Sequence, residues 1–166
     1  MKGAGHRVQG SVKKIKKAAD LAKTLRRLKA AGKKIVFTNG CFDLLHVGHV
    51  TYLEKARNLG DLLIVGLNSD RSVREIKGPG RPINSQMDRA KVLAGLSFID
   101  YITIFEEETP EELIRSLEPA ILVKGGDWNS NDIVGGNFVR SIGGKVITIP
   151  FLNGYSTTSV INRMKR

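Results

Sequence analysis

The chain has 166 residues, 41% hydrophobic and 26% charged, which is the profile of one globular domain with a single sizeable core. One cysteine excludes an internal disulfide and fits a reducing, cytoplasmic compartment, and neither a membrane span nor the apolar centre of a secretion signal is visible. The net charge of +11 falls in residues 1–34, where 12 Lys and Arg face Asp20 alone, while residues 35–166 carry 15 basic and 15 acidic residues.

Residues 1–11 read as a disordered basic leader and residues 12–166 as one domain. Across 12–31, Leu21, Leu25 and Leu28 recur at i, i+4, i+7 among Lys and Arg, predicting a leading helix that stops at Gly32. Residues 33–39 predict a strand, followed by a helix to about Asn58 that Gly60 and Asp61 break. Residues 62–67 are a near-continuous apolar run, the mark of a strand buried on both faces. A short helical segment and a Gly/Pro loop at 78–82 follow, then a helix over 85–96 with Ser85 as its cap and Asp88 at its third position. Residues 101–105 predict a strand. Thr109-Pro110-Glu111-Glu112 opens a helix, with Thr109 capping and Pro110 in the first position. Residues 120–123 and 145–149 predict the last two strands, 137–142 and 156–164 the last two helices. This alternation implies an α/β fold: a doubly wound, Rossmann-like, five-stranded parallel sheet with helices on both faces. Ligands in such sheets bind beyond the carboxyl ends of the strands.

The most informative stretch follows the first strand. Residues 40–49 read G-C-F-D-L-L-H-V-G-H. Gly40 is expected to let the backbone turn tightly, and Gly48 to let something bulky lie on the first helical turn. His46 and His49, three apart, are expected to share one helix face. Helix N–H groups and two imidazoles aimed at one point suit a polyphosphate. A structural His pair or a metal pair are the plainer alternatives. Zinc would want a further good ligand, and only His6 and Cys41 remain as His or Cys donors.

With T-N-G-C-F-D-L-L-H-V-G-H at 38–49, the chain resembles the HxGH nucleotidyltransferases, in particular their cytidylyltransferase-like group. N-S-D at 68–70, K-G-P-G-R-P at 77–82, V-K-G-G-D-W at 123–128 and Y-S-T-T-S-V-I-N-R-M at 155–164 follow in the family's order. Within that group they are most similar to the adenylyltransferases of heptose phosphate. The resemblance covers residues 20–166 and implies transfer of AMP from ATP to D-glycero-β-D-manno-heptose 1-phosphate, giving ADP-heptose and pyrophosphate. It further implies Mg²⁺ alongside ATP, a homodimer, and the form that stands apart from a sugar-kinase domain. The basic leader departs from the family pattern.

The resemblance implies roles for particular residues. His46, His49 and Lys77 would be catalytic, with Lys77 closing over the α-phosphate. Gly40, Cys41, Phe42 and Gly48 would hold the nucleotide phosphates, and Ser156, Thr157 and Thr158 the β- and γ-phosphates. Lys124, Gly125 and Asp127 would meet the base or ribose, Asp127 through the ribose hydroxyls. Asn68 and Arg81 would contact the acceptor, and Asp43 the metal or the acceptor. No resident protein metal site is expected.

Plainer readings stand beside these. Phe42 is equally a core residue, and Cys41 a small filler, since in-line transfer needs no thiol nucleophile. Asp43 is equally a helix cap. Lys77 and Arg81 could be a solvated pair, and Arg89, which matches a recurring family Arg, a surface salt bridge. Gly-Gly-Asp is ordinary turn chemistry, and three hydroxyls can simply cap a helix. A cytidylyltransferase for glycerol 3-phosphate or phosphoethanolamine keeps the fold and changes the substrates. A nucleic-acid-binding module using residues 1–34 is the reading from another class. It is disfavoured by the neutral body and by a basic segment without Phe, Tyr or Trp.

Overall fold

The computed structural model describes residues 11–126, 128–152 and 154–164. Strands β1 (Ile35–Gly40), β2 (Leu62–Asn68), β3 (Tyr101–Phe105), β4 (Ile121–Gly125) and β5 (Lys145–Ile149) form one sheet in the order β3-β2-β1-β4-β5. Every neighbouring pair is parallel. Successive side chains go to opposite cores, as the two-residue period of a strand demands. In β1, Ile35 and Phe37 join one core and Val36 the other; in β4, Leu122 opposes Ile121 and Val123. Both faces are therefore covered, which is why these strands read as apolar runs rather than as alternations.

The described helices are α1 (Ala18–Ala30), α2 (Val47–Arg57), α3 (Asp70–Lys77), α4 (Gln86–Ala94), α5 (Glu111–Leu117), α6 (Gly136–Ser141) and α7 (Thr157–Met164). One core packs Leu53 and Ala56 of α2 with Leu93 and Ala94 of α4. The other packs Leu21 and Leu25 of α1 with Ile114 and Leu117 of α5 and Val139 of α6. Each such fully buried Leu or Ile contributes on the order of 2 kcal/mol. Strand order reverses between β1 and β4, so their carboxyl ends open a crevice at the topological switch point.

Two expected elements need correction. The leading helix does not span 12–31. Ser11–Lys14 is a 3₁₀ turn, Ile15 bridges to Ile102, and the Lys16 N–H donates to the Ile102 carbonyl at 2.9 Å. β3 is an edge strand with unpaired backbone groups, and this segment pairs with them instead of continuing the helix. Residues 1–10 of the leader, His6 among them, lie outside the described residues. In α5 the cap position belongs to Pro110 with no capping side chain, so Thr109 lies one residue too early. Ser85 does cap α4, its Oγ accepting from the Asp88 N–H at 3.2 Å.

Candidate active site

The turn after β1 is built on shape. Phe42, not Gly40, takes the left-handed conformation, with φ of 42°. Gly40 instead supplies room, since a Cβ there would lie 2.9 Å from Phe42 Cε2. The Phe42 ring is buried and packs T-shaped with His49, 5.2 Å between centroids.

His46 is not on the helix: it is the N-cap residue, with φ −139° and ψ 170°, and α2 begins at Val47. The two imidazoles meet all the same, stacked at 3.8 Å with 23° between planes. Gly48 gives them space, because a Cβ there would approach His46 Nδ1 at 3.0 Å and Tyr155 Cβ at 3.2 Å. Burial pushes the His46 pKa down. It pushes His49 down to about 4, with the His46 charge acting in the same direction and the Leu44 carbonyl opposing. At neutral pH both rings are uncharged, and Nδ1 of each is buried without a hydrogen-bond partner.

Lys77 ends α3 rather than standing in the loop, and Gly78 with φ 87° turns the chain away from it. The next segment is tied to the histidine turn. Asp43 Oδ2 accepts from Arg81 Nε, and Oδ1 accepts the N–H groups of Ile83 at 2.8 Å and Asn84 at 3.2 Å. The Asn84 side chain donates back to the Asp43 carbonyl at 3.1 Å. The expected alternative of Asp43 as cap of α2 is thereby corrected, since its carboxylate is 1% exposed and committed to residues 81–84. Arg89 is not on the surface either. Its buried guanidinium donates to the Cys41 carbonyl at 2.6 Å, the Asn84 carbonyl at 3.1 Å and Asp70 Oδ1 at 2.8 Å.

The opposite wall comes from the ends of β4 and β5 and the start of α7. Gly125, which Gly126 follows, was expected to meet a base or ribose. In the structure the close neighbour is a protein ring: Cβ atoms there would lie 2.6 Å and 2.9 Å from Phe151. Asp127 lies outside the described residues. Ser156 is engaged in capping, its Oγ accepting the Ser159 N–H at 3.0 Å while Ser159 Oγ accepts the Ser156 N–H at 3.1 Å.

These walls enclose a cavity of about 450 Å³. It gathers His46, His49, Lys77, Arg81 and Lys124. Cys41, Phe42, Asp43, Gly48, Gly125 and the Ser156-Thr157-Thr158 run complete the expected residues that line it. Gly40 and Asn68 do not. Asn68 is 4% exposed and spends its amide on Ser72 Oγ at 2.9 Å. Its place at a strand end had suggested ligand contact, but the side chain braces α3 instead.

Asn39, Tyr52, Phe151, Leu152 and Tyr155 also line the cavity, and sequence reasoning gave them no role. Among the described residues three cations face one carboxylate here, and neither Lys77 nor Lys124 has an ion-pair partner. Burial pushes Lys124 down and the Cys41 thiol up. Tyr52, bonded to Thr38 at 2.6 Å, is pushed by burial to about 12. Such a pocket gains most from an anionic ligand. Among the described residues no three His, Cys, Asp or Glu side chains could together hold a metal ion. No described helix is long and apolar enough to cross a membrane.

A cationic crevice at the switch point of a parallel sheet, with paired imidazoles at a helix start, defines a nucleotide-phosphate-binding α/β protein. The chain belongs to the cytidylyltransferase-like family of nucleotidyltransferases, whose model matches residues 37–163. It is similar to the bifunctional protein HldE of Geobacter metallireducens, 54% identical over 153 residues, which cover 92% of this chain and 31% of the relative. The bifunctional protein HldE of Pelobacter propionicus is 56% identical over 151 residues, covering 91% and 31%. The chain thus spans about a third of the length of these relatives. Among solved structures, it is similar to the lipopolysaccharide core biosynthesis protein from Thermoplasma volcanium, with TM-score 0.62 and 24% identity over 75% of this chain and 100% of that one. Pantoate-beta-alanine ligase from Francisella tularensis, complexed with beta-gamma ATP and beta-alanine, gives TM-score 0.59 and 15% identity, covering 91% and 76%. These two likenesses concern the fold.

Proposed function

We propose that this chain transfers AMP from ATP to D-glycero-β-D-manno-heptose 1-phosphate, giving ADP-heptose and pyrophosphate. The observation that carries the reading is the stacked His46–His49 pair, each ring with an unpartnered Nδ1, lining one cavity with Lys77 and Lys124, which have no ion-pair partner among the described residues. The choice of acceptor and base is supported by the K-G-P-G-R-P and S-T-T runs and by the HldE relatives at 54–56% identity.

An oxygen of the sugar phosphate attacks the α-phosphorus in line. The new P–O bond forms as the bond from the α-phosphorus to the bridging oxygen breaks, and the electron pair leaves on pyrophosphate. No protein nucleophile takes part, so the protein's task is to place two anions that repel each other and to stabilise the charge that builds. His46 and His49 donate hydrogen bonds to the triphosphate, and bound phosphate draws them toward the imidazolium form. Lys77 meets the α-phosphate. Arg81, held by Asp43, offers its remaining N–H groups to the acceptor phosphate. Thr157 and Thr158, free of the capping bonds that occupy Ser156, meet the outer phosphates. The Asp43 carboxylate is engaged by residues 81–84, and among the described residues no carboxylate cluster offers a cage. Mg²⁺ would enter with ATP as part of the substrate and would supply charge neutralisation at its phosphates.

Residues 12–166 act as one domain and residues 1–11 as a leader outside the chemistry, in a cytoplasmic homodimer. A sedimentation mass of one chain at working concentration would reject the dimer. Pyrophosphate release, measured with ATP and CTP against heptose 1-phosphate, glycerol 3-phosphate and phosphoethanolamine, tests the reaction. ATP with heptose 1-phosphate is the expected pair. Release only with CTP and another acceptor would replace both substrates, and no release with any pair would reject nucleotidyl transfer.

A further inference from the structure

The cavity has a second character that the phosphate chemistry leaves unused. At the carboxyl ends of β4 and β5 its lining turns aromatic: Phe151 is 61% exposed and Trp128 54% exposed. Large aromatics are ordinarily drawn into cores, so two of them open to one cavity are the informative observation. Phe151 is held in place without being covered. Its ring lies against the Gly125–Gly126 backbone, close enough that a Cβ at either glycine would meet it at 2.6 Å or 2.9 Å. Trp128 closes on the same spot, with its Cδ1 only 3.3 Å from where a Gly126 Cβ would stand. The glycine pair therefore seats a flat ring on flat backbone and leaves the rest of that ring bare.

We infer that Phe151, flanked by Trp128, is the stacking platform that receives the purine of the nucleotide. This rests on the nucleotidyl-transfer reading and assigns the base end of its substrate. The same cavity has a polar lining, the His pair and the hydroxyls at the start of α7, that suits phosphates. A nucleotide has the same division: an anionic tail and an apolar, flat head. Stacking tolerates any base but grows with ring area, so the platform favours a purine over a pyrimidine without reading its edge. A protein partner would not need both rings inside the lining of a cationic cavity.

The test uses the intact chain and its one tryptophan. ATP is titrated while Trp128 emission is followed, and tripolyphosphate, which has the charge and no base, is titrated in parallel. Affinities are checked by calorimetry, for wild type and for Phe151→Ala and Phe151→Tyr. ATP is expected to quench Trp128 and tripolyphosphate to leave it unchanged. Phe151→Ala should weaken ATP about ten- to hundredfold, weaken CTP less, and leave tripolyphosphate binding as in wild type. Phe151→Tyr should restore ATP binding. Wild-type ATP affinity in Phe151→Ala would overturn the platform while leaving the transfer reading intact. Equal loss of ATP and tripolyphosphate would also overturn it, by showing that Phe151 shapes the cavity rather than holding the base. A wild-type protein that binds neither ligand would overturn the nucleotide reading and the platform together.

Discussion

The two walls of the cavity are built differently. The wall from the β1–α2 turn and residues 77–89 is cross-braced by buried polar bonds between distant segments. Arg89 reaches Cys41, Asn84 and Asp70, and Asp43 grips Arg81, Ile83 and Asn84. The wall from residues 150–152 and 154–158 is open. Its aromatics are exposed, and among the described residues its side-chain bonds are local ones, from Ser156 to Ser159. Groups that must stabilise developing charge gain from being fixed before the substrate arrives. Groups that must admit and release a large ligand come from less tightly bonded segments. The division of bonding thus follows the division of labour between placing charge and receiving substrate.

Cutting the brace is the strongest way to break this contrast. Arg89→Met keeps much of the packing volume but strands two carbonyls and Asp70, and should cost about 4 kcal/mol. Urea midpoints measure it. A loss comparable to that of an exposed substitution would mean the brace contributes little.

The braced wall should also carry the largest catalytic losses. His49→Ala should lower turnover about a hundredfold or more, as when one preorganised donor is lost, with the fold retained by circular dichroism. Normal turnover would return His49 to a packing role. Lys77→Ala should depress kcat far more than it weakens ATP binding, if the ammonium acts mainly on the transition state. Lys77→Arg should rescue poorly, because a wider guanidinium at the end of α3 does not reproduce the placement of a compact ammonium. Weaker ATP affinity with normal saturated turnover would make Lys77 a ground-state contact.

Acid should loosen the braced wall before the open one. His49 has a folded pKa of about 4 against 6.5 in the unfolded chain. Above pH 6.5 neither state binds this proton and stability is unaffected. As pH falls, the unfolded chain binds it first, so stability is lost between 6.5 and about 4, reaching roughly 2 kcal/mol by pH 5 from the linkage relation. Burial of His46 acts in the same direction. Thermal midpoints of wild type and His49→Gln at pH 7.5 and pH 5 test this. An equal acid loss in both proteins would assign it elsewhere.

Much of the sheet was legible in the sequence because strands covered on both faces must be apolar throughout. β3 and β5 fall on the expected residues, and the others shift by one or two. The HxGH turn was legible as a place but not as a shape. A spacing of three suggests one helical face, yet His46 precedes the helix and meets His49 by stacking across Gly48. Asn68 shows the same limit: a strand-end position says where a residue lies, not which neighbour takes its amide. The brace was invisible because Arg89, Asp43 and Asn84 are joined only by folding. Phe151 had a faint signal, as a large aromatic just past the carboxyl end of β5 in a sheet of this type. A lone Phe after a strand belongs to no motif, and it gains meaning only beside Gly125 and Gly126.

The smallest expected effect lies on the open wall and separates two readings of one hydroxyl. Ser156 could cap α7 or hold a phosphate, and the structure gives its Oγ to the Ser159 N–H at 3.0 Å. As a cap, Ser156→Ala should cost about 1 kcal/mol. That cost should appear mainly as faster hydrogen exchange in α7, because the helix end is exposed and its bonding is local. Ser156→Asp restores a capping acceptor and suits the helix dipole, so it should recover the exchange protection. The same carboxylate beside an outer phosphate would repel it. Recovered protection together with wild-type KM for ATP identifies Ser156 as a cap with no phosphate contact. Recovered protection together with a KM raised about tenfold or more would put the hydroxyl against the nucleotide as well, and the open wall would then hold charge as the braced wall does.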